Sequence, residues 1–282
     1  MLYRLGQFIA LNLPLRLAYK VAVTLSDLRY LFAFADRQSV DANLKTIFPE
    51  KSETEILHIK RLMFRNFAKY LVDFFRYEII DEEYIKNNIR LENFGNFQAA
   101  LNKGKGVVIL TAHLGNWELG GVVIAVMGIP FWVVALPHKN KQVDRFFNAQ
   151  RAMKKIKIIP LGKAVRQCLD VLRANEAVAL VGDRDFSDRG MILDFFGKPT
   201  HFPEGPAAFA LKTGALIVPG FMLRNPDDTF TLKIEKPLEF SVTGNKERDT
   251  KEIITKYVAI FEDYIRRYPD QWYIFRKFWI DK

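Results

Sequence analysis

From residue 104 onward the sequence alternates between short β-rich apolar runs and helical stretches, and this alternation limits the possible folds more than any other feature. The predicted strands cover 106–111, 131–136, 156–159, 177–181, 216–223 and 229–234, and the predicted helices cover 116–127, 141–155, 164–174, 205–213 and 246–267. Such alternation is typical of a largely parallel sheet covered by helices on both faces. We therefore predict an α/β fold whose functional residues lie at the carboxyl ends of strands.

The first 90 residues have the apolar spacing of helices. Leu17, Val21, Leu25, Leu28 and Phe32 recur at intervals of three and four residues, with basic residues beside them. We predict an amino-terminal helical, membrane-associating region over 1–90 and an α/β core over 91–282, packed as one continuous domain. Packing against the core is the alternative use of such helices, and the sequence does not decide between an amphipathic helix and a spanning one.

The uncharged stretch 119–137 has the length of a membrane span but is interrupted by Gly128-Ile129-Pro130. A glycine and a proline so close together favour a buried helix followed by a buried strand. A secretory signal is not predicted either, because no small-residue cleavage site follows the first apolar run.

The net charge of +10 is concentrated in one segment. Residues 139–173 contain ten Lys or Arg and two Asp, so this segment is expected to attract anionic partners. Phospholipid headgroups, a phosphorylated substrate, an acidic carrier protein and nucleic acid all fit that charge. The chain has no recognisable nucleic-acid-binding motif, and we predict no nucleic-acid partner.

A histidine and a carboxylate lie close together after the first predicted strand of the core. His113 follows the strand ending at Thr111, Gly115 permits a tight turn, and Glu118 falls in the first turn of the next helix. A carboxylate bound to one imidazole nitrogen fixes the tautomer and leaves the other nitrogen as a general base. Backbone N–H groups at the helix start could stabilise an oxyanion. A buried histidine with a purely local hydrogen bond fits the same pattern.

Other chemistries lack their motifs in this sequence. There is neither an H-E-x-x-H sequence nor a cluster of cysteine and histidine, so we predict no metal site. The nucleophile motif of serine hydrolases and the glycine-rich motifs of nucleotide-binding proteins are also absent, and we predict no cofactor.

The segment Thr111-Ala-His-Leu-Gly-Asn-Trp-Glu118 resembles the H-x4-[D/E] motif of glycerolipid acyltransferases, in the form found in the late acyltransferases of lipid A biosynthesis. Further segments agree with that family in order and spacing: Asp183-Arg-Asp185, 195–199, 205–219 and Tyr268-Pro-Asp-Gln-Trp272. The resemblance extends from about residue 15 to residue 279. The chain departs from the family pattern at Arg184, where glutamine is usual, and at 275–278, where a histidine and paired arginines are usual.

The resemblance implies transfer of a fatty acyl chain from an acyl carrier protein or coenzyme A thioester to a glycolipid hydroxyl, such as that of a lipid A precursor. It assigns the role of base to His113 and of its orienting carboxylate to Glu118. The expected substrate-binding residues are Asn116, Trp117, Arg151, Asp183, Arg184, Asp185 and Glu204. It further implies attachment to an anionic membrane surface, at the cytoplasmic face of the bacterial inner membrane, as a monotopic protein or through one amino-terminal anchor.

Three alternatives stay open at this stage. The acceptor could be another phospholipid or glycolipid, such as a phosphatidylinositol mannoside. The same histidine and carboxylate could serve a thioester hydrolase. The chain could also be a non-catalytic basic protein that binds membranes.

Overall fold

The structure is a computed structural model that describes residues 2–186 and 189–280. The helices are α1 (Leu2–Asn12), α2 (Leu15–Phe32), α3 (Phe34–Ile47), α4 (Glu53–Phe75), α5 (Glu82–Asn88), α6 (Gly95–Leu101), α7 (Trp117–Val126), α8 (Lys141–Met153), α9 (Ala164–Arg173), α10 (Gly205–Thr213) and α11 (Lys246–Arg267). The strands are β1 (Ile89–Glu92), β2 (Val107–Thr111), β3 (Phe131–Ala135), β4 (Lys157–Pro160), β5 (Ala177–Val181), β6 (Met191–Phe195), β7 (Lys198–Phe202), β8 (Leu216–Arg224) and β9 (Phe230–Ile234). The α/β fold predicted from the sequence is confirmed.

Seven strands form the main sheet in the order β1-β9-β8-β2-β5-β3-β4. All neighbouring pairs are parallel except β8 and β9, which run antiparallel. Successive residues of a strand face opposite sides of the sheet, so Val108 and Leu110 of β2 join one apolar cluster while Val107 and Ile109 join the other. The sheet therefore has a buried apolar layer on each face, as expected for a parallel sheet covered by helices.

The amino-terminal helices lie against the sheet layers through α4. This helix begins with a capping box, in which Ser52 and Glu55 exchange side-chain and backbone hydrogen bonds. Helix α2 packs along α4 and buries Ala18, Tyr19 and Tyr30. The apolar face that the sequence predicted for α2 points away from these buried residues, and Phe32 at the end of the helix is 73% exposed.

The uncharged stretch 119–137 folds as predicted, with α7 ending at Val126 and β3 starting at Phe131. No helix among the described residues has the combination of length and apolar character needed to cross a membrane.

The hairpin formed by β6 and β7 was not predicted from the sequence. Its two strands pair antiparallel from Met191–Phe202 to Phe195–Lys198, and alternate residues of β6 are partly exposed. The turn places Phe196 and Gly197 at φ values of 51° and 76°, which suits a two-residue hairpin loop. Strand β1 was also missed, because four residues with only one buried give little apolar periodicity.

Candidate active site

The register of two neighbouring strands brings a histidine and an aspartate together. Strands β2 and β5 are parallel, and their last residues, Thr111 and Val181, are paired. His113 and Asp183 each follow two residues later, so they lie side by side at the carboxyl edge of the sheet. The amide of Gly182 donates to the carbonyl of Thr111 at 2.8 Å, which continues the pairing beyond the strands.

The imidazole of His113 is bound by Asp183. Its Nδ1 lies 2.7 Å from Oδ1 of Asp183, and the backbone amide of His113 donates to Oδ2 of the same carboxylate at 3.0 Å. The side chain of His113 is 20% exposed, whereas that of Asp183 is 0% exposed. Within the described residues Nε2 makes no hydrogen bond, so the exposed side of the ring faces away from the buried carboxylate.

The carboxylate of Asp183 is kept charged despite its burial. Burial by itself would raise the pKa of Asp183, but the charge of His113 and the hydrogen bonds from His113 and Trp272 outweigh it and lower that pKa below its ordinary value. The indole of Trp272 donates to Oδ2 at 3.0 Å. A charged acceptor at Nδ1 favours the tautomer that carries its proton there and leaves Nε2 with a lone pair.

The carboxy-terminal segment closes around the same loop. Leu114 pairs with Trp272 in an isolated antiparallel bridge, and the amide of Tyr273 donates to the carbonyl of His113 at 2.8 Å. The amide of Gly115 donates to the carbonyl of Gln271 at 2.8 Å. The loop from 113 to 115 is therefore held at both ends, at His113 and at Gly115, by backbone hydrogen bonds to a segment far away in sequence.

Gly115 allows the chain to turn into α7. It lies at φ +64°, and a Cβ on it would approach the carbonyl oxygen of Met222 to 2.0 Å, so no other residue fits. The next residue, Asn116, is the N-cap of α7, and its Oδ1 accepts from the amide of Leu119 at 3.1 Å. Its Nδ2 donates to Asp73 at 3.0 Å.

The sequence predicted a hydrogen bond between Glu118 and His113, but the structure places Glu118 elsewhere. Its two carboxylate oxygens accept from Nε and Nη2 of Arg151 in α8, with a distance of 3.0 Å from Nε to Oε2. Nη1 of Arg151 donates to Asn148 at 3.3 Å. Because Asn116 caps α7, Glu118 lies in the first turn of the helix and binds Arg151 of α8, while Asp183 occupies the position at Nδ1. The partner of the histidine thus comes from the next strand of the sheet.

The pair formed by Glu118 and Arg151 is buried, with side chains 12% and 9% exposed. Burial disfavours a charged guanidinium, but the nearby Glu118 carboxylate and its hydrogen bonds raise the pKa of Arg151 above its ordinary value. All three guanidinium nitrogens of Arg151 have acceptors inside the protein. Three of the five N–H groups of Arg151 are thus used inside the protein, which favours a structural role for Arg151 over the phosphate contact that was expected of it.

The remaining predicted residues lie around this loop or further out. Trp117 meets the ring of His113 edge-on, with centroids 5.2 Å apart, and stacks on Tyr70 at 4.9 Å. Arg184 lies over the ring of Phe186, and Asp185 accepts from the amides of Arg189 and Gly190. Glu204 is exposed at the start of α10 and makes no side-chain hydrogen bond within the described part of the chain.

Comparison with known proteins shows which family has this arrangement of motifs. The sequence profile of the bacterial lipid A biosynthesis acyltransferases matches residues 1–280, which is nearly the entire chain. The chain belongs to this family. It is an acyltransferase, as the resemblance at 111–118 implied.

Individual relatives fall into two groups. A phosphatidylinositol mannoside acyltransferase of Mycolicibacterium smegmatis is 27% identical over 224 residues, covering 78% of this chain and 72% of that protein. The protein of the same name in Mycobacterium tuberculosis is 30% identical over 160 residues, which cover 55% of this chain and about half (51%) of that protein. A lipid A biosynthesis palmitoleoyltransferase of Escherichia coli is 25% identical over 242 residues, covering 84% of this chain and 76% of that protein.

Several residues of this candidate site were not identified individually from the sequence. Trp272 and Tyr273 lie in or beside a segment that was noticed only as a block of family resemblance. Asp73 and Arg224 carry no motif, and they reach the loop only because α4 and β8 pack beneath it. Charged residues inside otherwise apolar runs were the one available signal, since such residues are rarely buried without a partner.

Proposed function

We propose that this acyltransferase moves a fatty acyl chain from an acyl thioester to a hydroxyl of a membrane glycolipid, with His113 as the general base. The observation that supports this most directly is the 2.7 Å contact between Nδ1 of His113 and the fully buried Asp183, which leaves Nε2 on the exposed side of the ring. We assign the orienting role to Asp183 instead of Glu118. A carboxylate in this position fixes the imidazole tautomer and stabilises the imidazolium formed during reaction.

The proposed reaction has two proton transfers. Nε2 of His113 takes the proton of the acceptor hydroxyl while its oxygen attacks the thioester carbonyl carbon. The resulting tetrahedral oxyanion then collapses, the carbon–sulfur bond breaks, and the imidazolium returns the proton to the departing thiolate. The products are an ester on the acceptor and a free thiol, and the histidine regains its starting form.

The start of α7 is our candidate for stabilising the oxyanion. The first amides of a helix have no acceptor within the helix, and the positive end of its dipole favours negative charge. Asn116 satisfies the amide of Leu119, which leaves the amides of Trp117 and Glu118 for this purpose. In this scheme the pair of Glu118 and Arg151 fixes the first turn of α7 against α8.

An apolar cavity of about 260 Å³ between α1, α2 and α4 is suited to hydrocarbon. Phe64, Phe67 and Phe75 are among its lining residues. A continuous row of rings connects it to the histidine, since Phe67 stacks on Tyr70, Tyr70 on Trp117, and Trp117 meets His113. We assign this cavity to an acyl chain of the substrate.

The exposed apolar face of α1 and α2 supports attachment to a membrane surface. Its large apolar side chains are 45–73% exposed in α2 and 55% or more in α1: Leu5, Phe8, Leu17, Leu25, Leu28, Leu31 and Phe32. The basic residues Arg4, Arg16, Lys20 and Arg29 flank them. Apolar and basic residues on one helical face are the pattern of interfacial helices on anionic lipid. We propose that the protein acts as a monotopic enzyme at the cytoplasmic face of the bacterial inner membrane.

Two acceptors are supported by the relatives. The family and the Escherichia coli protein favour a lipid A precursor, whereas the Mycolicibacterium protein favours a phosphatidylinositol mannoside. The basic segment 139–173 suits either an acyl carrier protein or the phosphates of coenzyme A as the donor carrier. We place the lipid A precursor first, because the family profile covers nearly the whole chain.

The test is an acyl-transfer assay with labelled acyl chains. Acyl carrier protein and coenzyme A thioesters are offered with either glycolipid in mixed vesicles, and mass spectrometry identifies the acylated product. We expect label to appear in one of the glycolipids, and His113→Ala to abolish transfer while the protein still binds vesicles. Comparing membrane glycolipids from cells with and without the gene identifies the natural acceptor and the chain length.

Three results would contradict the proposal in different ways. Label recovered only as free fatty acid would indicate a hydrolase. Transfer by His113→Ala at a rate near that of the wild type would remove the histidine from the mechanism. Vesicle binding without any turnover of either donor would favour a non-catalytic membrane-binding protein.

A further inference from the structure

A buried polar cluster lies beneath the loop that carries His113, and it joins three elements that are far apart in sequence. It consists of Tyr19 from α2, Asp73 from α4, Arg224 from the end of β8, and Asn116 from the loop itself. Each of these four residues is at most 7% exposed. The cluster thus buries an ion pair, that of Asp73 and Arg224, inside otherwise apolar packing.

Asp73 is the centre of the cluster. Its Oδ1 accepts from the hydroxyl of Tyr19, and its Oδ2 accepts from Nη2 of Arg224 and from Nδ2 of Asn116, the last at 3.0 Å. Nη1 of Arg224 also donates to the hydroxyl oxygen of Tyr19 at 3.1 Å. The hydrogen bonds therefore form a closed network, because Tyr19, Arg224 and Asn116 each donate to the carboxylate of Asp73, and Arg224 also donates to Tyr19.

The cluster holds Asn116 at both ends of its side chain. Oδ1 of Asn116 caps α7 by accepting from Leu119, while Nδ2 is fixed by Asp73. The backbone amide of Asn116 donates to the carbonyl of Met222 in β8 at 2.7 Å. Rotation of this side chain would release the first turn of α7, which lies between His113 and the pair formed by Glu118 and Arg151.

Arg224 connects the same cluster to the carboxy-terminal segment that binds Asp183. The backbone of Arg224 exchanges two hydrogen bonds of 2.9 Å with the side chain of Gln271. Gln271 precedes Trp272, whose indole donates to Asp183. The cluster thus reaches the proposed catalytic pair from two sides, through Asn116 and through the carboxy-terminal segment.

The composition of the cluster favours a role in geometry over one in stability. A buried ion pair adds little net stability, since desolvation offsets the attraction, but it permits one arrangement of its partners. Burial, together with the charge of Asp73, raises the pKa of Tyr19 far above its ordinary value, so the phenol stays protonated and remains a donor. Tyr19 lies on α2, whose opposite face carries the exposed apolar side chains.

We propose that Tyr19 and Asp73 are positioning residues for acyl transfer, which hold the loop of His113 through Asn116 and make helix α2 part of the active-site support. This inference rests on the proposed function of His113. It assigns to the amino-terminal helices a role beyond lipid contact, because Tyr19 of α2 is connected to the loop of His113 through Asp73 and Asn116.

The decisive variant is Tyr19→Phe, which removes one hydroxyl and keeps the ring over Arg224. Tyr30→Phe is its matched control, because Tyr30 is a buried tyrosine of the same helix that packs edge-on against Phe64 outside the cluster. We expect Tyr19→Phe to lower kcat by about 10- to 100-fold, the cost of a small displacement of catalytic groups, with little change in KM for the acyl donor. Tyr30→Phe should retain the wild-type kcat.

A second readout does not depend on activity. The chain has four histidines, so histidine labelled at Cε1 gives four NMR signals, and that of His113 is identified by its loss in His113→Asn. We expect Tyr19→Phe to change the chemical shift of the His113 signal, because the loop moves, and to leave the other three signals unchanged. Asp73→Asn should change the His113 signal by a larger amount.

These measurements separate positioning from general support of the fold. If Tyr19→Phe lowers only the thermal midpoint, while kcat per folded molecule and the His113 chemical shift stay at wild-type values, the positioning role is refuted. If the wild-type protein transfers no acyl group, the proposed function fails, and the His113 chemical shift still decides whether the cluster controls the geometry of the loop.

Discussion

Replacing Asp183 by asparagine reverses the hydrogen-bond direction at His113. Oδ2 of Asp183 accepts two N–H donors, from Trp272 and from the backbone of His113. An asparagine must place its carbonyl oxygen there, since its NH₂ group cannot accept. The NH₂ group then faces Nδ1 of His113 and donates to it. The imidazole is thereby held in the tautomer with its proton on Nε2, where it cannot take a proton from the acceptor.

The expected loss of activity follows from this change of tautomer. Exchanging the carboxylate for an amide in a comparable triad lowers kcat about 10⁴-fold. Each factor of ten corresponds to about 1.4 kcal/mol of transition-state stabilisation, so we expect Asp183→Asn to lose about 4–5.5 kcal/mol, or 10³- to 10⁴-fold in kcat. The fold itself should lose only about 1–3 kcal/mol, because the amide is nearly isosteric and one charge-assisted hydrogen bond is weakened.

The assay is steady-state acyl transfer with acceptor and donor both near saturation, combined with thermal unfolding of the same preparations. Asp249→Asn is the matched control. Asp249 is also buried and also accepts from backbone amides and a hydroxyl, but it lies at the start of α11. The control should lose a similar amount of stability and keep nearly all of the activity. If Asp183→Asn retains more than about a tenth of the wild-type kcat, the assignment of Asp183 as the orienting carboxylate is incorrect.

Three further predictions concern stability, acid unfolding and membrane binding. Glu118→Gln should destabilise the fold by about 3–5 kcal/mol, since it leaves the buried charge of Arg151 without a counterion, and the double variant with Arg151→Met should recover part of that loss in urea unfolding. Burial opposes the charge of Asp183, but His113 and the hydrogen bonds hold its folded-state pKa below the ordinary value. The unfolded chain therefore binds more protons between these two values, and stability falls as the pH drops through them. Urea unfolding from about pH 5 to pH 2 should show a weaker pH dependence for Asp183→Asn than for the wild type, and an equal dependence would contradict the charge state. Phe32→Glu should weaken binding to anionic vesicles several-fold, whereas Val242→Glu, at a similarly exposed site elsewhere, should not.

The sequence was sufficient for the elements of the core and for the position of His113 between a buried strand and a capped helix. The apolar runs that became β2, β5 and β8 are β-rich and bounded by turn residues, so their period and length identify them without reference to neighbours. The helix that starts after Asn116 was also predictable, because its cap and Gly115 are local signals. Local patterns were insufficient for the hairpin of β6 and β7, because each strand has only five residues and Phe195 is the one fully buried residue of β6.

The partner of His113 could not be predicted in the same way. Glu118 is five residues away in sequence, and proximity along the chain made it the natural candidate. Asp183 is 70 residues away and becomes adjacent only when β2 and β5 pair with Thr111 opposite Val181. The sequence does not specify strand order, because that order depends on how all the helices and strands pack together.

The sequence by itself determined that a histidine follows a buried strand and precedes a capped helix, because these features depend on residues within a few positions of each other. Only the tertiary structure decided which carboxylate binds that histidine and which binds Arg151. It also decided that Tyr19 and Asp73, which lie in helices of the amino-terminal region, support the loop through Asn116. The physical reason is that a hydrogen bond depends on distance in space, and the register of a parallel sheet brings together residues that the chain keeps far apart.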